Sequence, residues 1–143
     1  MIETTRVLEI LEGNVSLDSA SASIHNLANS VAAGLPKIAL RQTAQRVLDD
    51  PKAVWKLIYR VVPEATYKRR TRLTPAESER TERLARVIAS SEQVWDDRKL
   101  AHDWLKRPHP ELNGQTPLER SFSELGAREV EELLDRLYFG LPA

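Results

Sequence analysis

Seven basic side chains lie between Lys52 and Arg72, at Lys52, Lys56, Arg60, Lys68, Arg69, Arg70 and Arg72, against one carboxylate, Glu64. A local charge of +6 on so short a stretch attracts a polyanion. The opposite sign gathers at the other end. From His109 to Ala143 three arginines face seven carboxylates, Glu111, Glu119, Glu124, Glu129, Glu131, Glu132 and Asp135, a local charge of −4. Over the 143 residues, 21 basic and 21 acidic side chains cancel, so the asymmetry and not the sum carries information. It points to two different partners.

Other chemistries find no support in the residue pattern. His102, Asp103 and His109 are close in sequence, but His102 and Asp103 point in different directions on a helix and His109 lies beyond Pro108, so they do not converge on a metal. His25 has no obvious partner, and none of the serines from Ser16 to Ser23 sits in a nucleophile motif with a base. There is no glycine-rich phosphate loop. No enzyme activity, metal or cofactor is therefore expected. Trp55, Trp95 and Trp104 could be taken for a cofactor box; Trp104 and Leu105 read better as core, while Trp55 falls off the buried stripe of its helix and suits a subunit contact.

The chain contains no cysteine, which excludes disulfides and thiolate metal sites and makes a reducing cytoplasm the expected home. Its first residues lack a basic region followed by a long apolar run, and no stretch reaches the length of a bilayer span. With 41% hydrophobic and 29% charged residues it should fold as one compact domain or as two small helical lobes.

Proline and glycine mark out short helices, and no strand pattern competes with them. Pro36, Pro51, Pro63, Pro75 and Pro117 read as first-turn residues, and Gly13, Gly34 and Gly140 as helix terminators. The expected helices run from about Thr5 to Glu12, Ala22 to Ala33, Pro36 to Leu48, Pro51 to Arg60, Pro63 or Glu64 to Arg70, Thr74 toward Trp95, Asp97 to Lys106 and Ala127 to Tyr138. Asn14 to Ser21 reads as a polar linker. Two capping boxes, Thr74-Pro75-Ala76-Glu77 and Thr116-Pro117-Leu118-Glu119, fix helix starts, and Asn113-Gly114 marks a turn. The fold class is all-α.

Two short helices joined by a tight turn, the second one basic, form the helix-turn-helix arrangement that offers one helix to the major groove. Pro51 to Arg60 would be the support helix, Val61-Val62-Pro63 the turn and Glu64 to Arg70 the reading helix. Thr66, Lys68, Arg69 and Arg72 would face outward, where arginine forks onto guanine O6 and N7 or onto phosphate oxygens. On spacing alone, a merely solvated basic face is an equal reading, because the turn lacks glycine.

Longer peptides carry a resemblance. Thr66-Tyr67-Lys68-Arg69-Arg70, followed by Leu73-Thr74-Pro75-Ala76-Glu77-Ser78, resembles the close of the Xre/Cro-like helix-turn-helix of the Xre/MbcA/ParS antitoxins. The run from Trp104 to Glu119 resembles that family's toxin-binding signature, and Gly126 to Leu137 with Gly140 and Ala143 resembles its last helix and tail. The likeness covers about Pro36 to Ala143; the first 35 residues carry no signature. It implies a DNA-binding region over residues 36–95 and a toxin-binding region over 96–143, after an N-terminal helical segment, 1–35, of no assigned role.

The resemblance further implies an antitoxin that binds a RES-domain, NAD-degrading toxin, lies over its active-site entrance and represses its own promoter, as a homodimer on paired half-sites. It makes Thr66, Lys68, Arg69, Arg70 and Arg72 the DNA-binding residues. Trp104, Gly114, Thr116, Pro117, Tyr138, Phe139, Gly140, Leu141, Pro142 and Ala143 become the toxin-binding ones. Tyr67 stands where the family usually has an aliphatic residue, so its ring is expected to be partly packed; Asn113 stands where glycine is frequent. Two adjacent aromatics near a terminus suit an interface anchor, although Phe139 could instead close the protein's own core. The competing reading is a helix-turn-helix regulator with no toxin partner.

Overall fold

A computed structural model of the chain describes residues 2–13 and 23–140. These residues form nine α-helices: α1 (Thr4–Glu12), α2 (Ile24–Ala33), α3 (Ile38–Val47), α4 (Pro51–Val61), α5 (Glu64–Arg69), α6 (Pro75–Trp95), α7 (Arg98–Leu105), α8 (Pro117–Arg120) and α9 (Glu124–Tyr138). A 3-10 turn, Pro110–Leu112, precedes α8. No strand occurs among the described residues, and no helix there is long and apolar enough to cross a membrane. The all-α expectation holds. The polar linker expected from Asn14 to Ser21 lies outside the described residues.

The chain forms two compact units, one from Glu3 to Ala85 and one from Arg86 onward together with Ile2. In the first, α1 packs on α3, α3 on α4 and α4 on α5. Their buried stripes have helical spacing: Val7, Leu8, Ile10 and Leu11 on α1, Leu40, Ala44 and Val47 on α3, and Val54, Leu57, Ile58 and Val61 on α4. Leu40 and Ile58 are wholly buried, a stabilisation of roughly 1.5–3 kcal/mol each. The buried Thr43 hydroxyl donates to the Ala39 carbonyl at 2.7 Å, so a polar group in this core is satisfied within its own helix.

Pro36 departs from the sequence expectation. It does not begin α3, whose N-cap is Lys37, but forms an isolated antiparallel bridge with Arg72. Lys37 N donates to Thr71 O at 3.2 Å and Leu73 N to Leu35 O at 2.9 Å, which ties the α2–α3 loop to the α5–α6 loop. Gly34 permits this closeness: its φ is 95°, and a Cβ there would run into the Leu73 carbonyl oxygen. The buried Ser78 hydroxyl adds an acceptor for Leu35 N at 2.8 Å.

The second unit is built on Val87, Ile88, Ala101, Leu105, Leu112, Val130, Leu133 and Leu134, all buried. Both reciprocal bonds of the Thr116–Glu119 capping box form, Glu119 N to Thr116 Oγ1 at 3.1 Å and Thr116 N to Glu119 Oε1 at 3.4 Å. Asn113 takes the left-handed conformation, φ 56° and ψ 32°, a region asparagine tolerates better than other side-chain-bearing residues, so the turn is made without glycine at that position. The last helix starts one turn earlier than its apolar pattern suggested. Ser123 caps it by accepting from Gly126 N at 3.0 Å, and Gly126 lies buried in the first turn, where the Arg120 carbonyl leaves no room for a Cβ.

Candidate functional site

The basic segment is presented by α4, the Val62-Pro63 connection and α5. Asp50 caps α4 by accepting from Lys52 N at 3.4 Å, and Pro51 occupies its first turn, where a missing N–H costs nothing. Val54, Leu57, Ile58 and Val61 point inward, which leaves Lys52, Lys56 and Arg60 exposed on the opposite side. Helix α5 is held by Tyr67, buried as the sequence led one to expect.

The structure separates the five residues assigned to DNA. Lys68 and Arg69 are exposed, and Thr66 is half-buried. Lys68 Nζ pairs with Glu64 Oε1 one turn back at 2.7 Å; that hydrogen bond, reinforced by the Glu64 charge, raises its pKa above the ordinary lysine value. Arg69 has no ion pair among the described residues. Arg70 and Arg72 serve the fold's own connections: Arg70 Nη1 meets Glu77 Oε1 at 2.8 Å, and Arg72 Nη1 donates to Gly34 O at 2.7 Å.

An aromatic cluster in this unit escaped the sequence reading. Trp55 and Tyr59, one turn apart on α4, stack with ring centroids 5.5 Å apart and 27° between planes. Tyr67 meets both edge-on, at 5.8 and 6.4 Å. From the start of α3, Lys37 Nζ stands 4.9 Å over the Tyr67 ring and Arg41 Cζ 5.1 Å over Trp55. Burial raises the Tyr67 phenol's pKa, and the Arg41 charge partly opposes the rise. The i, i+4 spacing of Trp55 and Tyr59 was the legible signal.

In the second unit the residues of the toxin-binding signature play two parts. Thr116 is half-buried in its capping box and Pro117 is buried as the first residue of α8, so both set the start of that helix. Gly114 is exposed with φ 77° and nothing near its Cβ position. Trp104 is only half-buried, unlike the neighbouring Leu105; its ring lies 6.4 Å from both Trp95 and His109. His102 pairs with Glu92, Nε2 to Oε2 at 2.8 Å, and among the described residues no three His, Cys, Asp or Glu side chains gather as a metal site.

Tyr138 and Phe139, at the end of α9, are 60% and 70% exposed and touch each other edge-to-face at 5.2 Å. Phe139 therefore does not close the protein's own core. With Arg86, Ser90, Gln93 and Val94 they border a cavity of about 540 Å3. Gly140 is exposed with φ 70°. Leu141, Pro142 and Ala143 lie outside the described residues. Residues 90–140, which take in Trp104, Gly114, Thr116, Pro117, Tyr138 and Phe139, match the model of the antitoxin Xre/MbcA/ParS C-terminal toxin-binding domain.

Residues 90–140 are thus similar to the toxin-binding domain of the Xre/MbcA/ParS antitoxins.

Part of a second protein shows a related likeness. The chain is 33% identical over 78 residues to a protein named Antitoxin Xre from Pseudomonas putida. The match takes in 52% of this chain and 49% of that protein, so the chain spans about half the length of the curated relative it matches.

Proposed function

We propose that the protein is an antitoxin, a binding protein with no catalytic role of its own. Its C-terminal unit binds a toxin protein and silences it by covering the toxin's active site, with Tyr138 and Phe139 as anchors. The observation that carries this reading is the coincidence of a toxin-binding-domain match over residues 90–140 with two large aromatic side chains left in solvent at the end of α9. An exposed aromatic pair has little to offer the folded monomer, whereas aromatic anchors dominate interface energetics.

The finer reading is that the toxin is a RES-domain protein that degrades NAD, which the likeness of residues 104–143 to Xre/MbcA/ParS antitoxins supports. The α4–α5 pair acts as a helix-turn-helix, and a homodimer represses its own operon by setting α5 into successive major grooves. The exposure of Lys68 and Arg69 beside Lys52, Lys56 and Arg60 supports the DNA role. The test is co-expression with the product of the neighbouring gene, scoring growth and cellular NAD. Growth and NAD restored by the full chain support the reading; continued arrest despite soluble expression of both proteins overturns it.

A further inference from the structure

The pocket between α3, α4 and α5 shares only Lys68, at its rim, with the binding surfaces described above. Trp55, Tyr59 and Tyr67 form its aromatic wall, and Lys37, Ile38 and Arg41 close it; its volume is about 530 Å3. Sites for small molecules run from about 300 to 1,000 Å3, so this one is of ligand size. All of these residues belong to one compact unit.

Its charge is out of balance. Lys37 and Arg41 are half-buried, and neither has a carboxylate partner among the described residues. Lys37 Nζ donates only to the neutral Tyr67 carbonyl at 3.0 Å, and Arg41 rests on the Trp55 ring. Lys68 at the rim is different, being neutralised by Glu64. Two partly desolvated cations without counter-ions, set beside three aromatic rings, suit a flat π-system that carries an anion. A cationic ligand would meet the pocket's own charges, and a purely apolar one would leave them uncompensated.

We propose that this pocket binds a free nucleotide, its base lying against Trp55 and Tyr59 and its phosphate on Arg41 and Lys37. Bases stack on aromatic side chains whatever their sequence, and a guanidinium takes a phosphate through charge-assisted, two-pronged hydrogen bonds. Duplex DNA is the poorer occupant, because its bases are hidden in the stack. The proposal stands apart from the antitoxin reading and survives its failure.

The experiment is calorimetric titration of the full chain with adenosine, guanosine, cytidine and uridine 5′-monophosphates, with adenosine and inorganic phosphate as half-ligands. Tryptophan fluorescence is followed in parallel. At least one nucleotide should bind saturably below about millimolar concentration, and each half-ligand about tenfold more weakly. Arg41→Gln should weaken nucleotide binding about tenfold with the helical melt unchanged, since Arg41 makes no ion pair that the fold depends on. Trp55→Ala should abolish the fluorescence response; where that variant melts early, Arg41→Gln decides the matter. No saturable binding by any nucleotide, unchanged binding by Arg41→Gln, or adenosine binding as tightly as its phosphate would each overturn the proposal. So would light scattering that shows a dimer broken by Trp55→Ala, which would put a second copy of the chain over the pocket.

Discussion

The guanidinium of Arg70 reaches Glu77 Oε1 at 2.8 Å, and the same carboxylate oxygen accepts from Thr74 N, also at 2.8 Å. Glu77 therefore closes the capping box of α6 and holds the end of α5 at once, while Thr74 Oγ1 accepts in turn from Glu77 N at 3.1 Å. Glu77→Ala removes both side-chain bonds. We expect it to cost about 1–2 kcal/mol, in the range of lost helix caps, and Glu77→Gln to cost less because its amide oxygen still accepts from Thr74 N. Thermal denaturation checks the order; equal stability of Glu77→Ala and the parent chain would show the box to be idle.

The same ion pair divides the basic segment into side chains that are available and side chains in use. Arg69→Glu should lower operator affinity by about tenfold or more without shifting the melting temperature, whereas Lys68→Glu also sets a carboxylate against Glu64 and should lower stability slightly. Every phosphate no longer neutralised should flatten the salt dependence of log affinity by about 0.9. Arg70→Glu sets a carboxylate against Glu77 and should lower stability as well as affinity. Gel-shift titration over a salt series, with thermal melts beside it, measures these effects. Operator affinity unaltered by Arg69→Glu would remove α5 from the DNA interface.

Local chemistry explains which of these features the sequence disclosed. The Thr74–Glu77 and Thr116–Glu119 boxes, the Asn113-Gly114 turn and the stripe of α4 each depend on residues a few positions apart, and all were legible. What was not legible depends on the way the chain folds back. Pro36 reads as a helix start until Arg72 is brought beside it as a bridge, and Gly126 reads as lying before the helix until the Arg120 carbonyl is seen to fill the space above it. Charge counting treats Arg69, Arg70 and Arg72 alike, but the fold gives Glu77 to Arg70 and the Gly34 carbonyl to Arg72. The aromatic pocket was half legible, through Trp55 and Tyr59; Lys37 and Arg41 come to it from the start of another helix.

Tyr67 gives the fold an alkaline limit. Burial raises its phenol above the ordinary tyrosine value of 10.0, so the folded state resists its ionisation more than the unfolded chain does. That stabilisation is complete below pH 10.0 and is lost as pH rises toward and through the folded-state pKa. Tyr67→Phe lacks the ionisable group and should lose less stability between neutral and strongly alkaline pH. Urea denaturation at a series of pH values tests this, and parallel pH profiles for the two proteins would refute it.

Tyr138 and Phe139 are mostly exposed, and their rings touch each other edge-to-face. Exposed side chains of this kind change stability by no more than about 0.5 kcal/mol when truncated. An interface anchor, by contrast, costs about 2 kcal/mol or more, roughly thirtyfold in affinity. Tyr138→Ala and Phe139→Ala should therefore melt like the parent chain yet bind the toxin at least about thirtyfold more weakly, while operator binding is retained. Truncation after Leu137 should remove neutralisation altogether. Surface plasmon resonance against the toxin, paired with thermal melts, separates the two roles. Variants that melt normally and hold the toxin as tightly as before would leave the exposed pair without a function and move the interface to another part of residues 90–140.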